Sequence, residues 1–195
     1  MRIVVLGATG QTGQYLVNQA LHQGHVVTAV ARNPGKMTVM HDKLQVVEGN
    51  IFSEESLKPL FKDHDAVISC LGFPASAFSG VTGYTQSMKA VIGAMRETKM
   101  NRLIAMTSCV LTNMYEMENF LKDTDDINWT VVRPPGLKNE SATAKEILTH
   151  EGYFVPDERG SPIGQTIARG DVARFMLSLL NSNAWVKKGV AMITK

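Results

Sequence analysis

The sequence opens with Met1-Arg-Ile-Val-Val-Leu-Gly-Ala-Thr-Gly-Gln-Thr-Gly13, which predicts a strand, a tight turn and the start of a helix. Residues 3–6 are a continuous β-branched and aliphatic run, as expected of a strand buried on both faces of a parallel sheet. Residues 7–13 have the spacing G-x-x-G-x-x-G, and a helical period follows. This order is typical of dinucleotide binding, because the glycines permit the turn, the approach of a pyrophosphate and close helix packing.

The turn supplies the first candidate binding residues. The free backbone N–H groups and the positive dipole end of the helix would face the phosphates of a dinucleotide. A purely structural glycine turn is the alternative. We expect the cofactor to contact Gly7, Thr9, Gly10, Gln11, Thr12 and Gly13.

Composition describes an ordinary globular chain. The 195 residues suffice for one domain with a sizeable core, and 44% hydrophobic and 19% charged residues are usual proportions. A net charge of +2 gives no strong field towards nucleic acid or an anionic membrane. No run reaches the roughly 18 to 20 apolar residues of a transmembrane helix, and a strand begins at once, so no signal peptide is expected. We predict a cytoplasmic monomer without nucleic-acid or membrane partners.

The cysteines, Cys70 and Cys109, are isolated and lie in apolar runs that resemble strand ends. Buried reduced thiols are expected in the cytoplasm, and a disulfide is the alternative. Neither cysteine has metal-ligand spacing, and the five histidines are scattered. We therefore predict no metal site.

The end of the second predicted strand, residues 25–31, decides the type of cofactor. A site for NAD places Asp or Glu about 20 residues past the glycines, where it binds the ribose 2′-hydroxyl. Arg32 stands at that place and Lys36 follows. Two cations suit a 2′-phosphate, so the sequence favours NADP(H), with a solvated loop cation as the alternative.

The carboxyl ends of the next strands should lie along the same ligand-binding edge. Asn50 and Ile51 follow the third predicted strand, residues 44–47, and Asn50 is either an adenine contact or a turn residue. The fourth strand, residues 65–71, ends at Leu71 and Gly72. A small residue there would let the cofactor ribose lie against the backbone.

Two hydroxyls end the fifth predicted strand, residues 102–108. Thr107 and Ser108 would lie near a bound nicotinamide, or else cap their own backbone. The sixth strand, residues 128–133, stops at Pro134-Pro135-Gly136, because proline removes a donor from the ladder. We expect these residues to line the nicotinamide end of the site.

Strands alternate with predicted helices along the whole chain. The helices cover residues 11–23, 84–99, 113–122 and 170–180, with a further helix capped by Ser53 and with Asp171 as N-cap of the last. Residues 146–156 resemble a hairpin or lid within a substrate-side region over residues 137–168, and residues 189–193 form a closing strand. The pattern predicts a single α/β domain over residues 1–195, a Rossmann-like doubly wound parallel sheet with helices on both faces.

Ordinary alcohol dehydrogenation needs a Tyr-x-x-x-Lys pair, in which the lysine lowers the pKa of the tyrosine side chain. No lysine completes it here: Tyr84 is followed four places on by Met88, Tyr115 by Asn119 and Tyr153 by Asp157. No nucleophile with matched His–acid support is evident either. Of the reactions considered, hydride transfer between two stacked π-systems is still possible, because it needs no strong protein acid.

These motifs resemble those of the atypical short-chain dehydrogenases/reductases, and within them the flavin reductases (NADPH) of the biliverdin reductase B type. The resemblance covers nearly the whole chain and is carried by residues 7–13, 30–32, 49–50, 66–72, 107–108, 131–135 and 169–171. It implies NADP(H) as cofactor and a flavin such as FMN, or a tetrapyrrole such as biliverdin, as planar acceptor. It also implies Arg32 and Lys36 at the 2′-phosphate, and Ser108 as the catalytic residue beside the nicotinamide.

Two departures from the family pattern concern the acceptor. The family has a histidine directly after the paired prolines, where this chain has Gly136. The connection between Ser108 and the helix that carries Met117 is also shorter than in the family.

The leading hypothesis is an NADPH-dependent oxidoreductase that transfers hydride to a planar conjugated acceptor. A non-catalytic NADP(H) sensor, like the NmrA-type regulators that share this fold, is the second hypothesis and agrees with the missing Tyr–Lys pair and with Gly136. An epimerase is the third, and it is weaker because such sites usually keep the Tyr–Lys pair.

Overall fold

The computed structural model describes residues 1–73, 83–107 and 112–195. The strands are β1 (Arg2–Leu6), β2 (Val26–Ala31), β3 (Leu44–Glu48), β4 (Ala66–Ser69), β5 (Arg102–Met106), β6 (Asn128–Arg133), β7 (Gly136–Lys138), β8 (Ile147–Glu151), β9 (Thr166–Ala168) and β10 (Lys188–Thr194). The helices are α1 (Gln11–His22), α2 (Glu54–Phe61), α3 (Tyr84–Glu97), α4 (Thr112–Lys122) and α5 (Arg169–Ser178). These elements confirm the predicted single-domain α/β Rossmann-like fold.

The main sheet has eight strands in the order β3-β2-β1-β4-β5-β6-β10-β8. All neighbours are parallel except β10 and β8, which are antiparallel. The strand order reverses between β1 and β4, and an open α/β sheet binds ligands in the crevice at such a point. The fold therefore indicates that a ligand would bind near the loops that follow β1 and β4.

Both faces of the sheet are buried, as the continuous apolar run of β1 requires. Ile3 and Val5 belong to the core that includes α1 and α5, whereas Val4 and Leu6 belong to the core that includes α3 and α4. The methionines of α3 lie in this second core, as their helical spacing predicts. In the described part of the chain, no helix has the length and hydropathy that crossing a membrane requires.

The prediction of a hairpin or lid over residues 146–156 is wrong in its position. Residues 147–151 form β8, whose Ile147 lies opposite Thr194 of β10 at the edge of the main sheet. A hairpin does occur further along, where Pro156 pairs with Pro162 and the N–H of Ile163 donates to the carbonyl of Val155 at 2.8 Å. The partner of β8 is remote in sequence, so a local pattern could not reveal the pairing.

The prediction that Asp171 caps α5 is also wrong, because the helix begins two residues earlier and its N-cap is Ala168. The buried carboxylate instead accepts hydrogen bonds from the N–H and hydroxyl of Thr143, both at 2.9 Å. It also forms an ion pair with Arg174 at 3.0 Å. Asp171 therefore fastens the connection between β7 and β8 onto α5, a structural role as expected but at a different place.

Candidate functional site

Two of the glycines in the first turn are required by the protein's own backbone. Gly7 has φ = 74°, and a Cβ there would lie 2.6 Å from the carbonyl oxygen of Cys70 at the end of β4. A Cβ on Gly13 would overlap the carbonyl oxygen of Gly7 and the backbone of Ala8. Both positions thus allow the turn, β4 and α1 to approach closely.

The start of α1 offers its positive end to a ligand. Gly10 is the N-cap, no side chain caps the helix, and no acidic residue occupies the first turn. The N–H groups of a first helical turn have no partners within the helix, so they are available to an anion.

A cleft of about 430 Å³ opens at the carboxyl ends of β1, β2 and β4, at the reversal of strand order. The predicted binding residues that line it are Gly7, Thr9, Gly10, Gln11, Thr12, Arg32, Lys36, Ile51, Leu71 and Gly72. The other lining residues, for which the sequence pattern indicated no site role, are Val30, Ala31, Phe52, Cys70, Phe73, Met106, Leu137 and Arg169.

Gly72 differs from the glycines of the first turn. A Cβ at this position would have no atom of the described residues within 4 Å, and Gly72 lines the cleft. Its missing side chain therefore leaves room in the cleft rather than room for the protein's own backbone.

The cleft has a cationic lining. Arg32 and Lys36 lie just beyond β2, and Arg169 lies at the start of α5. Among the described residues that line the cleft, none is an Asp or Glu, and these three cations form no ion pair with any described carboxylate. The cleft is therefore suited to an anionic ligand.

One end of the cleft is apolar and aromatic. The rings of Phe52 and Phe73 lie 5.9 Å apart, and Tyr84 packs edge-on against Phe73 at 4.7 Å. Phe52 stays 39% exposed. Together with Ile51 and Leu71, the two phenylalanines give this end a surface on which a flat ring can stack.

Asn50 and Gly13 were predicted to bind the cofactor, but neither lines the cleft. The side-chain oxygen of Asn50 accepts the N–H of Phe52 at 3.0 Å, so it is the turn residue that the sequence left as the alternative. Gly13 instead gives α1 its close contact with the turn.

Thr107 is buried, does not line the cleft, and donates a 2.9 Å hydrogen bond from its hydroxyl to Glu118. Its place beside the nicotinamide stays a prediction. Ser108 and Cys109 lie outside the described residues, as does the start of the shortened connection to α4. The catalytic role of Ser108 stays a prediction.

A buried ion pair explains the position of Thr107. Arg133 at the end of β6 bonds both carboxylate oxygens of Glu118, at 2.5 and 3.1 Å. Its Nη1 donates to the carbonyl of Gly152 at 2.7 Å, and its guanidinium lies 4.3 Å from the ring centre of Tyr153. The pair thus joins α4, β5, β6 and the segment after β8 at the ligand-binding edge.

The residues after β6 divide between two cavities, and Pro134 is buried. Leu137 lines the cleft, whereas Pro135 and Gly136 line a second cavity of about 330 Å³. The other residues of this second cavity are Arg133, Tyr153, Phe154, Val155, Pro162, Ile163, Gly164, Gln165, Ala191, Met192 and Ile193. Pro135 and Gly136 thus line the second cavity rather than the cleft, and the contact of Pro134, Pro135 and Gly136 with the nicotinamide stays a prediction.

Gly136 is required by the backbone just before the neighbouring strand β9. A Cβ on Gly136 would lie 2.9 Å from the carbonyl oxygen of Gln165, which also accepts the Gly136 N–H at 2.9 Å. Any side chain here would push β7 away from β9. The close pairing of these two strands therefore requires glycine.

Cys70 is a free thiol in the cleft wall, and burial raises its pKa from 9.0 to about 12. We expect iodoacetamide to alkylate Cys70 in the native protein at least about two orders of magnitude more slowly than in urea, because the thiolate is the reactive form. As pH rises from 9.0 towards 12, the unfolded thiol loses its proton first, so the stability contributed by this neutral thiol decreases. Mass spectrometry of the Cys70 peptide would measure the labelling, and equal rates in both states would contradict the prediction.

No group of three or more histidine, cysteine or acidic side chains among the described residues could hold a metal ion. Among the described residues, the features of the cleft that suit an anion are therefore its cations and the free N–H groups of α1.

Among solved structures, a Rossmann-fold NAD(P)-binding family protein from Shigella flexneri matches with a TM-score of 0.80 at 20% identity, covering 99% of this chain and 93% of that chain. A candidate NADH-flavin reductase from Streptococcus pneumoniae matches with a TM-score of 0.75 at 18% identity over the full length of both chains. A short-chain dehydrogenase/reductase from Veillonella parvula, solved in complex with NADP, has a TM-score of 0.74 at 15% identity, covering 98% and 93%. These likenesses show the fold.

Among curated proteins, the chain is 26% identical over 161 residues to YwnB of Bacillus subtilis, covering 69% of this chain and 71% of YwnB. It is 39% identical over 69 residues to the photosystem II assembly factor Ycf39 of Synechocystis, covering 35% of this chain and 21% of Ycf39. The chain thus spans about a fifth of Ycf39. The model of the NAD(P)H-binding family matches residues 7–183, so the chain belongs to this family.

Proposed function

We propose that the protein is an NADPH-dependent oxidoreductase that transfers hydride to a planar conjugated acceptor, a flavin such as FMN or a biliverdin-like tetrapyrrole. The observation that carries the proposal is the cleft at the reversal of strand order, whose charged lining residues in the described chain are all cations. Membership of the NAD(P)H-binding family supports a nicotinamide cofactor there. A monomeric state and a cytoplasmic location remain part of the proposal.

The choice of NADP(H) over NAD(H) is supported by the two cations after β2. Arg32 and Lys36 line the cleft where an NAD site has a carboxylate, and neither is paired with a described acidic residue. The guanidinium of Arg32 can bind a 2′-phosphate through two parallel hydrogen bonds. The complex of the Veillonella parvula protein, which has the same fold, with NADP supports this choice.

The remaining parts of the cleft suit the other parts of the cofactor. The start of α1 would receive the pyrophosphate, the aromatic end around Phe52 and Phe73 the adenine, and the open space at Gly72 a ribose. When bound, NADPH supplies the hydride and becomes NADP⁺, while the acceptor gains the hydride and a proton.

For the acceptor we propose the second cavity, next to Leu137 at the carboxyl end of β6. The half-exposed rings of Tyr153 and Phe154 stand at its mouth, and its walls are mainly apolar. Since Arg133 is neutralised by Glu118, the cavity offers no free charge and favours a flat, uncharged ring system. Ser108, which follows Thr107 in the chain, would orient the nicotinamide and acceptor, and solvent would supply the proton.

The test is a steady-state assay of NADPH oxidation with FMN and then biliverdin, with NADH as the alternative cofactor. We expect saturable turnover that favours NADPH. Arg32→Ala should raise the KM for NADPH by about 10- to 100-fold, because charge-assisted hydrogen bonds are lost, and leave the KM for NADH nearly unchanged. Arg159→Ala, an exposed arginine in the hairpin loop, is the matched control. Tight NADPH binding without oxidation by either acceptor would contradict the reductase and favour a sensor.

The location of the acceptor is tested separately by Phe154→Ala. This side chain lines the second cavity and is 46% exposed, so its removal should raise the KM for FMN about 3- to 10-fold through lost stacking. The dissociation constant of NADPH should not change. Tyr115→Ala removes an aromatic side chain, 55% exposed, that lines neither cavity, and serves as the control. An unchanged KM in the Phe154 variant would exclude this cavity as the acceptor site.

A further inference from the structure

Arg169 is a cation of the cleft that forms no ion pair with an acidic side chain in the described part of the chain. It is the first residue of α5, it is half-buried, and it lines the same cleft as Thr9 and Gly10. Its Nη1 donates one long hydrogen bond, 3.3 Å, to the carbonyl oxygen of Leu137.

The carboxylate closest in sequence does not neutralise Arg169. Asp171 binds Thr143 and forms its ion pair with Arg174 instead. Within residues 1–73, 83–107 and 112–195, no acidic side chain forms an ion pair with Arg169. A guanidinium has five N–H donors, so most of its donors remain available to a ligand.

The placement of Arg169 at a helix start is unfavourable without an anion. The first turn of a helix carries a partial positive charge, which repels a cation. Desolvating a guanidinium part-way without an acidic partner adds to this cost. An anion in the cleft would offset both effects.

Two sets of positive groups therefore line the cleft from different elements. Arg32 and Lys36 come from the loop after β2, whereas Arg169 comes from α5 and touches Leu137 of β7. The uncapped start of α1, with its free N–H groups, lines the same cleft through residues 9–12. A dinucleotide has its 2′-phosphate at one end and its diphosphate bridge in the middle, so the two sets suit two different phosphates.

We propose that Arg169 binds the diphosphate bridge of the cofactor, together with the N–H groups at the start of α1, and so positions the nicotinamide half beside Leu137. The inference rests on the proposed cofactor binding and adds a residue to it. Because NADPH and NADH share the diphosphate, Arg169 contributes equally to both. It is a binding and positioning residue, distinct from Arg32, which selects the 2′-phosphate.

The experiment compares calorimetric affinities of Arg169→Gln and the wild-type protein for four ligands. NADPH, NADH and 2′-phospho-ADP-ribose contain the diphosphate, whereas 2′-AMP does not. We expect the variant to bind the first three more weakly by one common factor of about 10- to 100-fold, with 2′-AMP unchanged. Arg32→Ala should give a different pattern, with losses for the three ligands that carry a 2′-phosphate (NADPH, 2′-phospho-ADP-ribose and 2′-AMP) and none for NADH. Arg169→Lys, which keeps the charge without the planar fork, should lie in between.

Each other outcome overturns the proposal in a different way. Unchanged affinities would show that Arg169 binds no phosphate. A loss for NADPH, 2′-phospho-ADP-ribose and 2′-AMP but not for NADH would assign it to the 2′-phosphate. A loss for both dinucleotides but not for 2′-phospho-ADP-ribose would assign it to the nicotinamide. An increased KM for FMN alone would assign it to an anionic group of the acceptor. The melting temperature without ligand should change little, and a large decrease would indicate a structural role through Leu137. Failure of the wild-type protein to bind NADPH would instead refute the proposed function.

Discussion

Replacing Arg133 with leucine is expected to lower the free energy of unfolding by about 3–5 kcal/mol. The side chain of Glu118 is only 3% exposed, and Arg133 bonds both of its oxygens. Without the guanidinium, a carboxylate would stay buried with the hydroxyl of Thr107 as its remaining described side-chain donor. Urea unfolding followed by circular dichroism would measure the loss as a lower midpoint at an unchanged slope.

A second ion pair provides the matched control. Arg96 and Asp126 also form a bidentate pair, at 2.7 and 2.9 Å, but their side chains are 49% and 52% exposed. Because exposed pairs are solvated, Arg96→Leu should cost less than about 1 kcal/mol. The double variant Glu118→Leu/Arg133→Leu should recover part of the stability lost by Arg133→Leu, since it leaves no buried charge. If the Arg133 variant were as stable as the Arg96 variant, burial of the Arg133–Glu118 pair would not increase its contribution to the free energy of unfolding.

The same change should also affect the proposed acceptor cavity. Arg133 holds the carbonyl of Gly152 and lies against the ring of Tyr153, and both residues belong to the segment after β8. Gly189 leaves the space that the guanidinium occupies. The ion pair thus links the stability of β6 to the position of one aromatic wall of the cavity.

The sequence predicted well the features that depend on neighbouring residues. The apolar run of β1, the glycine spacing and the helical period of α1 each have a physical cause within a few residues. The Ser53 cap is confirmed in the same way, with its hydroxyl accepting the N–H of Ser56. The position of Arg32 is likewise fixed by its distance from the turn and by the end of β2.

Features that depend on remote residues could not be predicted in this way. The sequence does not indicate that the Thr107 hydroxyl donates to the buried Glu118 on α4, because the approach of these two side chains depends on the packing of α4. Gly136 is required because Gln165, far along the chain, supplies the carbonyl oxygen that excludes a side chain. Arg169 lies within the motif at residues 169–171. The sequence does not indicate that this side chain lines the cleft, whereas the fold does.

Gly13→Ala is expected to lower the free energy of unfolding by about 3 kcal/mol or more. Overpacking typically costs about 1–3 kcal/mol, and we expect this substitution to reach or exceed the upper end of that range. The new methyl group would overlap the backbone of Gly7 and Ala8, which cannot rotate away as a side chain can. We therefore expect α1 to move off the turn after β1. NADPH binding, measured by calorimetry, should fall by more than about 10-fold, because the N–H groups of α1 would no longer face the phosphates.

Gly72→Ala separates the glycines that the fold needs from those that the ligand needs. Its Cβ would meet no atom of residues 1–73, 83–107 or 112–195 within 4 Å, so we expect the fold to keep its stability, while the methyl group would occupy part of the cleft. We expect weaker NADPH binding at an unchanged urea midpoint, in contrast to the combined loss in Gly13→Ala. If Gly72→Ala bound NADPH normally, the ribose would not lie against this residue. If Gly13→Ala kept its stability but failed to bind NADPH, the glycine at this position would be required by the ligand rather than by the close contact between α1 and Gly7.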